Sequence, residues 1–385
     1  MLIKNMNSVR KKRNLIFLLG AYGQENIGDE TILKIFLKFF HNRVAFITSS
    51  KPEKTQQMFN VHAIHTRGDY IEKLRALLYS DVIVFGGGSL LKELPSRSGR
   101  WRYSVLVNVF IGVLLAKILQ KKIIFSAIGI GPLKNTYSKF LTKILIILGD
   151  LVTVRDRNSK KILNNIGISQ KINVVADPAF LVNQNKQRIL NENQNNKKLI
   201  VGICPLYNLR DDASYGNMVN VISKFCDWLI KNYNAEIFFI PFQFGFNPYN
   251  DIKVNKEIIN FIQNKSNVFN ILEIETTEKM LNIISKVDII IGFRLHSLIF
   301  AILQNIPFLA IIYDDKVENL LRDINWKYYV HDNKLNFNEL ILEFEELIKN
   351  KIEVLEKLEN VKINMINKAK LNFHLIQKYF KEKVR

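Results

Sequence analysis

A chain of 385 residues exceeds what one ordinary hydrophobic core organises, so two domains are expected. Hydrophobic content of 48% with 23% charged residues is globular and excludes a disordered polymer. The net charge of +20 favours nucleic acid, an anionic membrane or a phosphorylated substrate, unless it is only a lysine-rich background, because the basic residues are dispersed.

One dense basic run, Arg10–Arg13 (RKKR), lacks aromatic interleaving, and no nucleic-acid partner is expected. The apolar run Leu15–Ala21 (LIFLLGA) follows it as in a short signal peptide. It flows into a loop-plus-helix pattern, however, and reads as a first strand. Strands are predicted at Leu15–Gly20, Val44–Thr48, Val61–His65, Asp81–Phe85, Lys122–Ala127 and Leu151–Val154. Helical patterns at Glu30–Phe40, Tyr70–Tyr79, Tyr103–Leu119 and Lys139–Leu148 separate them. The stretch Val105–Leu119 is broken by Asn108 and Lys117 and is shorter than the ~20 residues of a membrane span, so no transmembrane helix is expected.

The Asn/Gln-rich stretch Gln184–Lys197 reads as a linker. Strands then resume at Leu199–Cys204, Glu236–Pro241, Val268–Ile271, Asp288–Gly292 and Phe308–Tyr313. Helices Met218–Asn232, Asn255–Gln263, Thr277–Ser285 and Leu295–Gln304 alternate with them, and beyond Leu335 only helical periodicity remains. Cys204 and Cys226 offer neither zinc spacing nor a disulfide framework, which fits a reducing cytosol. Apolar strands alternating with helices imply an α/β chain of two Rossmann-like, doubly wound domains facing across a cleft. The expected spans are 1–185, 198–335 and a helical segment 336–385.

In such sheets ligands bind beyond the carboxyl ends of the strands. The first such loop, Gly20–Glu30 (GAYGQENIGDE), permits close backbone approach but is neither G-x-G-x-x-G nor a Walker A loop. Asp29 and Glu30 there disfavour phosphate; Asp29 suits hydroxyl groups or simply caps the helix. The glycines of Phe85–Glu93 (FGGGSLLKE) either admit a ligand against the backbone or make a tight turn. Ser126–Leu133 (SAIGIGPL) has the same look. Arg155 ends a strand and offers a bidentate fork for phosphate or carboxylate, or a salt bridge to Asp156.

Ile289–Ala301 (IIIGFRLHSLIFA) is the sharpest feature. Arg294 and His296 in the first turn of a helix oppose its dipole unless an anionic ligand compensates, whereas a satisfied core histidine is the plain alternative. Lys316, after the next strand, could neutralise substrate charge or be a surface lysine.

Together these segments resemble the polysaccharide pyruvyl transferase family. The likeness rests on Gly20–Glu30, Phe85–Leu90 (FGGGSL), Gly129–Pro132 (GIGP), Val154–Asp156 (VRD), Gly292–His296 (GFRLH) with Ala301, and Tyr313–Lys316 (YDDK). It covers roughly residues 14–325 in order and spacing. The resemblance implies a GT-B-like fold and transfer of pyruvyl from phosphoenolpyruvate onto a sugar of a surface polysaccharide or its lipid-linked precursor, forming a ketal. It puts the donor at Arg294, Leu295 and His296, with Arg155 and Lys316 beside them. His296 would be the general acid. Gly23, Asn26, Gly28, Asp29, Gly87 and Gly88 would orient the acceptor. The residues require no metal or other cofactor, and Mg²⁺ on the phosphate is compatible with them. A basic surface suits peripheral docking of the otherwise cytoplasmic protein at the anionic inner face of the cell membrane. A GT-B nucleotide-sugar glycosyltransferase is the alternative, the fold alone serving many chemistries. A non-catalytic binder of anionic glycan or nucleic acid is a further one.

Overall fold

The computed structural model describes residues 14–94, 99–183, 198–207, 211–245 and 250–383. The basic run Arg10–Arg13 and the expected linker Gln184–Lys197 lie outside the described residues. The chain forms two compact units, one of Met1–Gln24, Asp29–Leu181 and Asn367–Arg385, the other of Glu25–Gly28 and Val182–Ile366.

The first unit carries strands β1 (Ile16–Leu19), β2 (Val44–Ser49), β3 (His62–His65), β4 (Val82–Gly86), β5 (Lys122–Ile128), β6 (Leu151–Val154) and β7 (Asn173–Val174). Their order is β3-β2-β1-β4-β5-β6-β7, with every pairing parallel. Every residue of β4 is buried, as expected of a parallel strand covered on both faces. The apolar run near the N-terminus is β1, in register with β4 from Ile16↔Val82 to Leu19↔Phe85.

Helices α1 (Ile27–Phe40), α2 (Pro52–Phe59), α3 (Tyr70–Tyr79), α4 (Ser104–Ile118), α5 (Thr136–Leu148) and α6 (Arg157–Asn165) connect these strands. Right-handed crossovers running in opposite directions from the sheet centre put α1 and α2 on one face and α3, α4 and α5 on the other. A single apolar cluster unites Phe17, Ile83 and Phe125 of the sheet with Leu77, Val113 and Leu145 of those three helices.

The second unit repeats the plan. Strands β8 (Ile200–Cys204), β9 (Glu236–Phe239), β10 (Val268–Asn270), β11 (Ile289–Gly292), β12 (Phe308–Ile312) and β13 (Tyr329–His331) order as β10-β9-β8-β11-β12-β13, again parallel. Its helices are α7 (Asp212–Tyr233), α8 (Asp251–Phe261), α9 (Thr277–Ile284), α10 (Leu295–Leu303), α11 (Asp315–Asp323) and α12 (Phe337–Lys349).

The final helix, α13 (Lys351–Lys383), is divided: it counts with the second unit through Ile366 and with the first from Asn367. The expected independent segment 336–385 is therefore not a unit of its own. The cause is burial, for Phe373 and Phe380 pack against Phe36 and Phe40 with ring centroids 5.4 and 6.1 Å apart. Asn372 is fully buried; its Oδ1 accepts from Thr153 Oγ1 at 2.7 Å and its Nδ2 donates to Ser126 Oγ at 2.9 Å. No helix among the described residues is long and apolar enough to cross a membrane.

Candidate active site

The buried strand β11 (IIIG) delivers the chain to Arg294, which occupies the N-cap of α10 with φ −86° and ψ 134°. Its side chain makes no capping hydrogen bond. Of the helix that follows (LHSLIFAIL), every residue except His296 is buried, which locks the first turn in place. The Leu295 side chain is core, 5% exposed, so only its backbone can meet a ligand.

The Arg294 guanidinium is held side-on, through Nε and one terminal nitrogen. Nε donates to Asp251 Oδ2 at 2.7 Å and Nη2 to Oδ1 at 2.5 Å. Asp251, the first residue of α8, is fully buried and also accepts from the amides of Phe242 and Gln243, both at 2.9 Å. Burial pushes the Asp251 carboxyl above the usual range, while the Arg294 charge and the two amides pull it back. An oxygen pair receiving four donors is suited to the carboxylate form.

Gln243 leads from this pair to the first glycine loop. Residues 25–27 run antiparallel to 242–244: Ile27 N donates to Phe242 O at 3.0 Å and Phe244 N to Glu25 O at 3.1 Å. Asn26 Nδ2 donates to Gln243 Oε1 at 2.8 Å, and Asn26 Oδ1 accepts from Gly28 N at 3.0 Å, the geometry of an N-cap on α1. Asn26 therefore takes the capping role considered for Asp29, which sits half-buried at the third position of that helix.

Gly28 lies flat against His296. A Cβ there would stand 1.8 Å from His296 Nδ1, so this close approach requires glycine. Asn26 and Gly28, expected with the first domain, thus belong to the second unit with Arg294 and His296; Gly23 and Asp29 stay in the first. Gly23 N donates there to Glu30 Oε1 at 2.8 Å.

Lys316 stands in the first turn of α11, after β12, the neighbour of β11. Its Nζ is 3.5 Å from Asp314 Oδ2 and 5.4 Å from the Tyr313 ring centroid.

Arg155 has a different setting. It is 7% exposed in the first unit, 3.2 Å from Asp177, 3.7 Å from Asp156, and its Nη2 donates to Ser89 Oγ at 2.8 Å. The salt bridge considered from sequence is present, doubled by Asp177. Ser89 follows Gly87 and Gly88, whose φ values of +67° and +73° require residues without a Cβ penalty. A Cβ at Gly87 would come 2.8 Å from Ile32 Cγ2, whereas one at Gly88 would meet nothing within 4 Å.

Glu93, quoted in the sequence but given no role, is 5% exposed and accepts from Lys134 N, Asn135 N, Asn135 Nδ2 and Ser138 Oγ at 2.6, 2.8, 3.0 and 2.5 Å. It fastens the start of α5. Asp251, Gln243 and Asp177 carry no local sequence signal: Asp251 sits among polar residues, Gln243 (PFQFGF) and Asp177 (VVADPAF) within apolar runs, and only long-range contact gives each a role. Among the described residues no group of three or more His, Cys, Asp or Glu could hold a metal ion.

Two parallel Rossmann-like sheets, each with its loops at the carboxyl edge, define a two-domain fold of the GT-B type. Solved structures share it. A putative UDP-N-acetylglucosamine 2-epimerase from Listeria monocytogenes matches at TM-score 0.64 and 13% identity, over 96% of this chain and 98% of that one. The UDP-GlcNAc 2-epimerase from Neisseria meningitidis, bound to UDP-GlcNAc, matches at 0.59 and 18%, over 95% and 100%. Acinetobacter baumannii MurG matches at 0.55 and 13%, over 95% and 99%. At these identities the likeness is one of fold. No curated protein sequence matches the chain. The family profile described as polysaccharide pyruvyl transferase matches residues 26–315, and the chain belongs to that family.

Proposed function

We propose that the protein transfers a pyruvyl group from phosphoenolpyruvate to a sugar of a surface polysaccharide or its lipid-linked precursor, forming a ketal and releasing phosphate. The observation that carries this reading is the start of α10, where Arg294, locked by Asp251, and His296, seated against Gly28, share one turn. A fixed cation, an imidazole and helix N–H groups at one point suit a small donor bearing phosphate and carboxylate.

In this mechanism the His296 imidazolium protonates the vinyl CH₂ of the donor, which becomes the methyl group. One sugar hydroxyl adds to the central carbon. A second hydroxyl displaces phosphate as the carbon–oxygen bond to it breaks. Of the two hydroxyl protons, one returns to His296 and the other leaves on phosphate, so the reaction balances without an oxidant or reductant. Lys316 adds positive charge from the neighbouring strand edge, and Asp29 with the Gly23 and Gly87–Gly88 loops orients acceptor hydroxyls. Asn26 and Gly28 position His296. We leave Arg155 out of the donor clamp because two carboxylates and Ser89 already engage it.

The second reading, a nucleotide-sugar glycosyltransferase, draws on the UDP-GlcNAc bound in the Neisseria structure. Both are tested by incubating the protein with phosphoenolpyruvate or UDP-sugars and candidate lipid-linked acceptors, with and without a chelator, following phosphate release and acceptor mass. A pyruvyl gain that disappears in His296→Gln supports the first reading. UDP release with a hexose gain, independent of phosphoenolpyruvate, would replace it with the second.

A further inference from the structure

The outer side of α3, α4 and α5 in the first unit is built unlike a water-facing surface. Helix α4 buries Leu106, Val113 and Ala116. On its other side Ile111, Leu114, Leu115 and Ile118 recur at i, i+3, i+4 and i+7 and are exposed, Ile118 by 74%. A helix lying on a domain surface carries polar residues at those positions.

The neighbouring helices extend the patch. Ile71, Leu74 and Leu78 are exposed on α3, and Tyr137, Phe140 and Ile147 on α5. The three helices cover the same sheet face, so their outer sides share one surface. Helices α4 and α5 pack side by side, and Lys121 Nζ, just after α4, donates to the Leu78 carbonyl of α3 at 2.9 Å. The rings of Trp101, Tyr103 and Tyr137 continue the surface in steps of 5.6 and 5.0 Å. A contiguous exposed apolar patch of this kind marks an interaction surface.

Its charge names the partner. From Gly99 to Gly149 the sequence holds eight Lys and Arg residues and no Asp or Glu, and the acids that border the patch are paired, Asp150 with Lys117 and Lys122 and Glu72 with Arg75. Arg100, Arg102, Lys134 and Lys139 are exposed. A second copy of the chain meeting this face through the same patch would bring like charges together, which disfavours self-association. An anionic bilayer satisfies both features, taking apolar side chains at the acyl boundary, aromatic rings at headgroup level and lysines on phosphate.

We propose that this face, centred on α4, seats the protein on an anionic phospholipid surface. The inference does not depend on the donor chemistry. Its test uses the full chain with vesicles of phosphatidylglycerol and phosphatidylcholine, against phosphatidylcholine alone. Trp101, 57% exposed, is the reporter, and Trp101→Phe removes its signal. Binding should require the anionic lipid, and Trp101 emission should shift to the blue and be quenched by brominated acyl chains. Replacing Ile111, Leu115 and Ile118 with Ser should weaken binding by about tenfold or more. Replacing Arg102, Lys134 and Lys139 with Gln should weaken it by about 100-fold at low salt, at ~1 kcal/mol per basic residue. Unchanged thermal unfolding in both variants excludes misfolding as the cause. Equal binding to neutral vesicles, binding with Trp101 unquenched, or a lipid-free dimer that the serine variant dissociates would each overturn the proposal.

Discussion

Arg155 and Arg294 read alike in the sequence, each set beyond the end of a buried parallel strand, and the two units treat them in opposite ways. Arg155 is ringed by Asp156, Asp177 and Ser89 from three separate loops and closes the edge of its sheet. Arg294 meets Asp251 bidentately and stands at the start of a helix beside an imidazole. In the proposed reading, what separates a joint from a binding group is what surrounds the cation: two carboxylates in one case, one carboxylate and a helix N-terminus in the other.

The comparison can be broken most directly at His296. His296→Gln should lower phosphate release from phosphoenolpyruvate by about 10²–10⁴-fold while calorimetric donor affinity stays within a few-fold, as for loss of a general acid. Arg294→Ala should cost about 10²–10³-fold in kcat/KM for the same donor. Arg155→Ala should instead destabilise the fold by about 3–5 kcal/mol in urea unfolding, because it strands buried carboxylates, with donor KM of the folded protein near wild type. If Arg155→Ala folds normally and loses the donor, the distinction fails.

Glu93 sharpens the picture of the first unit. Burial raises its carboxyl, but Ser138, the two amides and Asn135 outweigh this and hold it below its ordinary range. A depressed native value contributes stability that is complete above the unfolded carboxyl range, near ~4.3, and fades as pH falls through the native value. Glu93→Gln should therefore cost about 1.5–3 kcal/mol at neutral pH, with the gap to wild type narrowing on acidification below that range. The smallest effect is expected at Gly88→Ala. Only its φ of +73° opposes the methyl, so about 1–2 kcal/mol of stability should be lost, with acceptor KM rising if the loop meets sugar.

Much of the scaffold was legible because it is apolar and periodic. Strand β6 and helix α3 coincide with the expected Leu151–Val154 and Tyr70–Tyr79. The elements missed are short or polar: β7 and β13 are two and three residues at the sheet edges, α2 (PEKTQQMF) and α6 (RNSKKILNN) bury one and two side chains respectively, and α11 (DKVENLLRD) is largely charged. The strand-to-helix switch at Arg294 and His296 could be read because local dipole physics made it anomalous. Asp251 could not, being 43 residues away at the head of a helix with mixed polarity. Gly28 was legible as a site residue but not its seat against His296, which is remote in the chain, because a glycine's reason is the atom it lets approach. The extent of the motif set in the sequence agrees with the family match over residues 26–315.

The division of α13 bears on the order in which the protein is made. The ribosome completes most of the first unit early, yet Phe373 and Phe380, which cover α1, and Asn372, which satisfies Ser126 and Thr153, are translated after the whole second unit. The first unit to emerge is therefore the last to close. Until then its nascent chain carries an open apolar face that must be shielded from aggregation, and a stop codon placed before Asn367 would leave the early-made half, rather than the late-made one, with an unfinished interior.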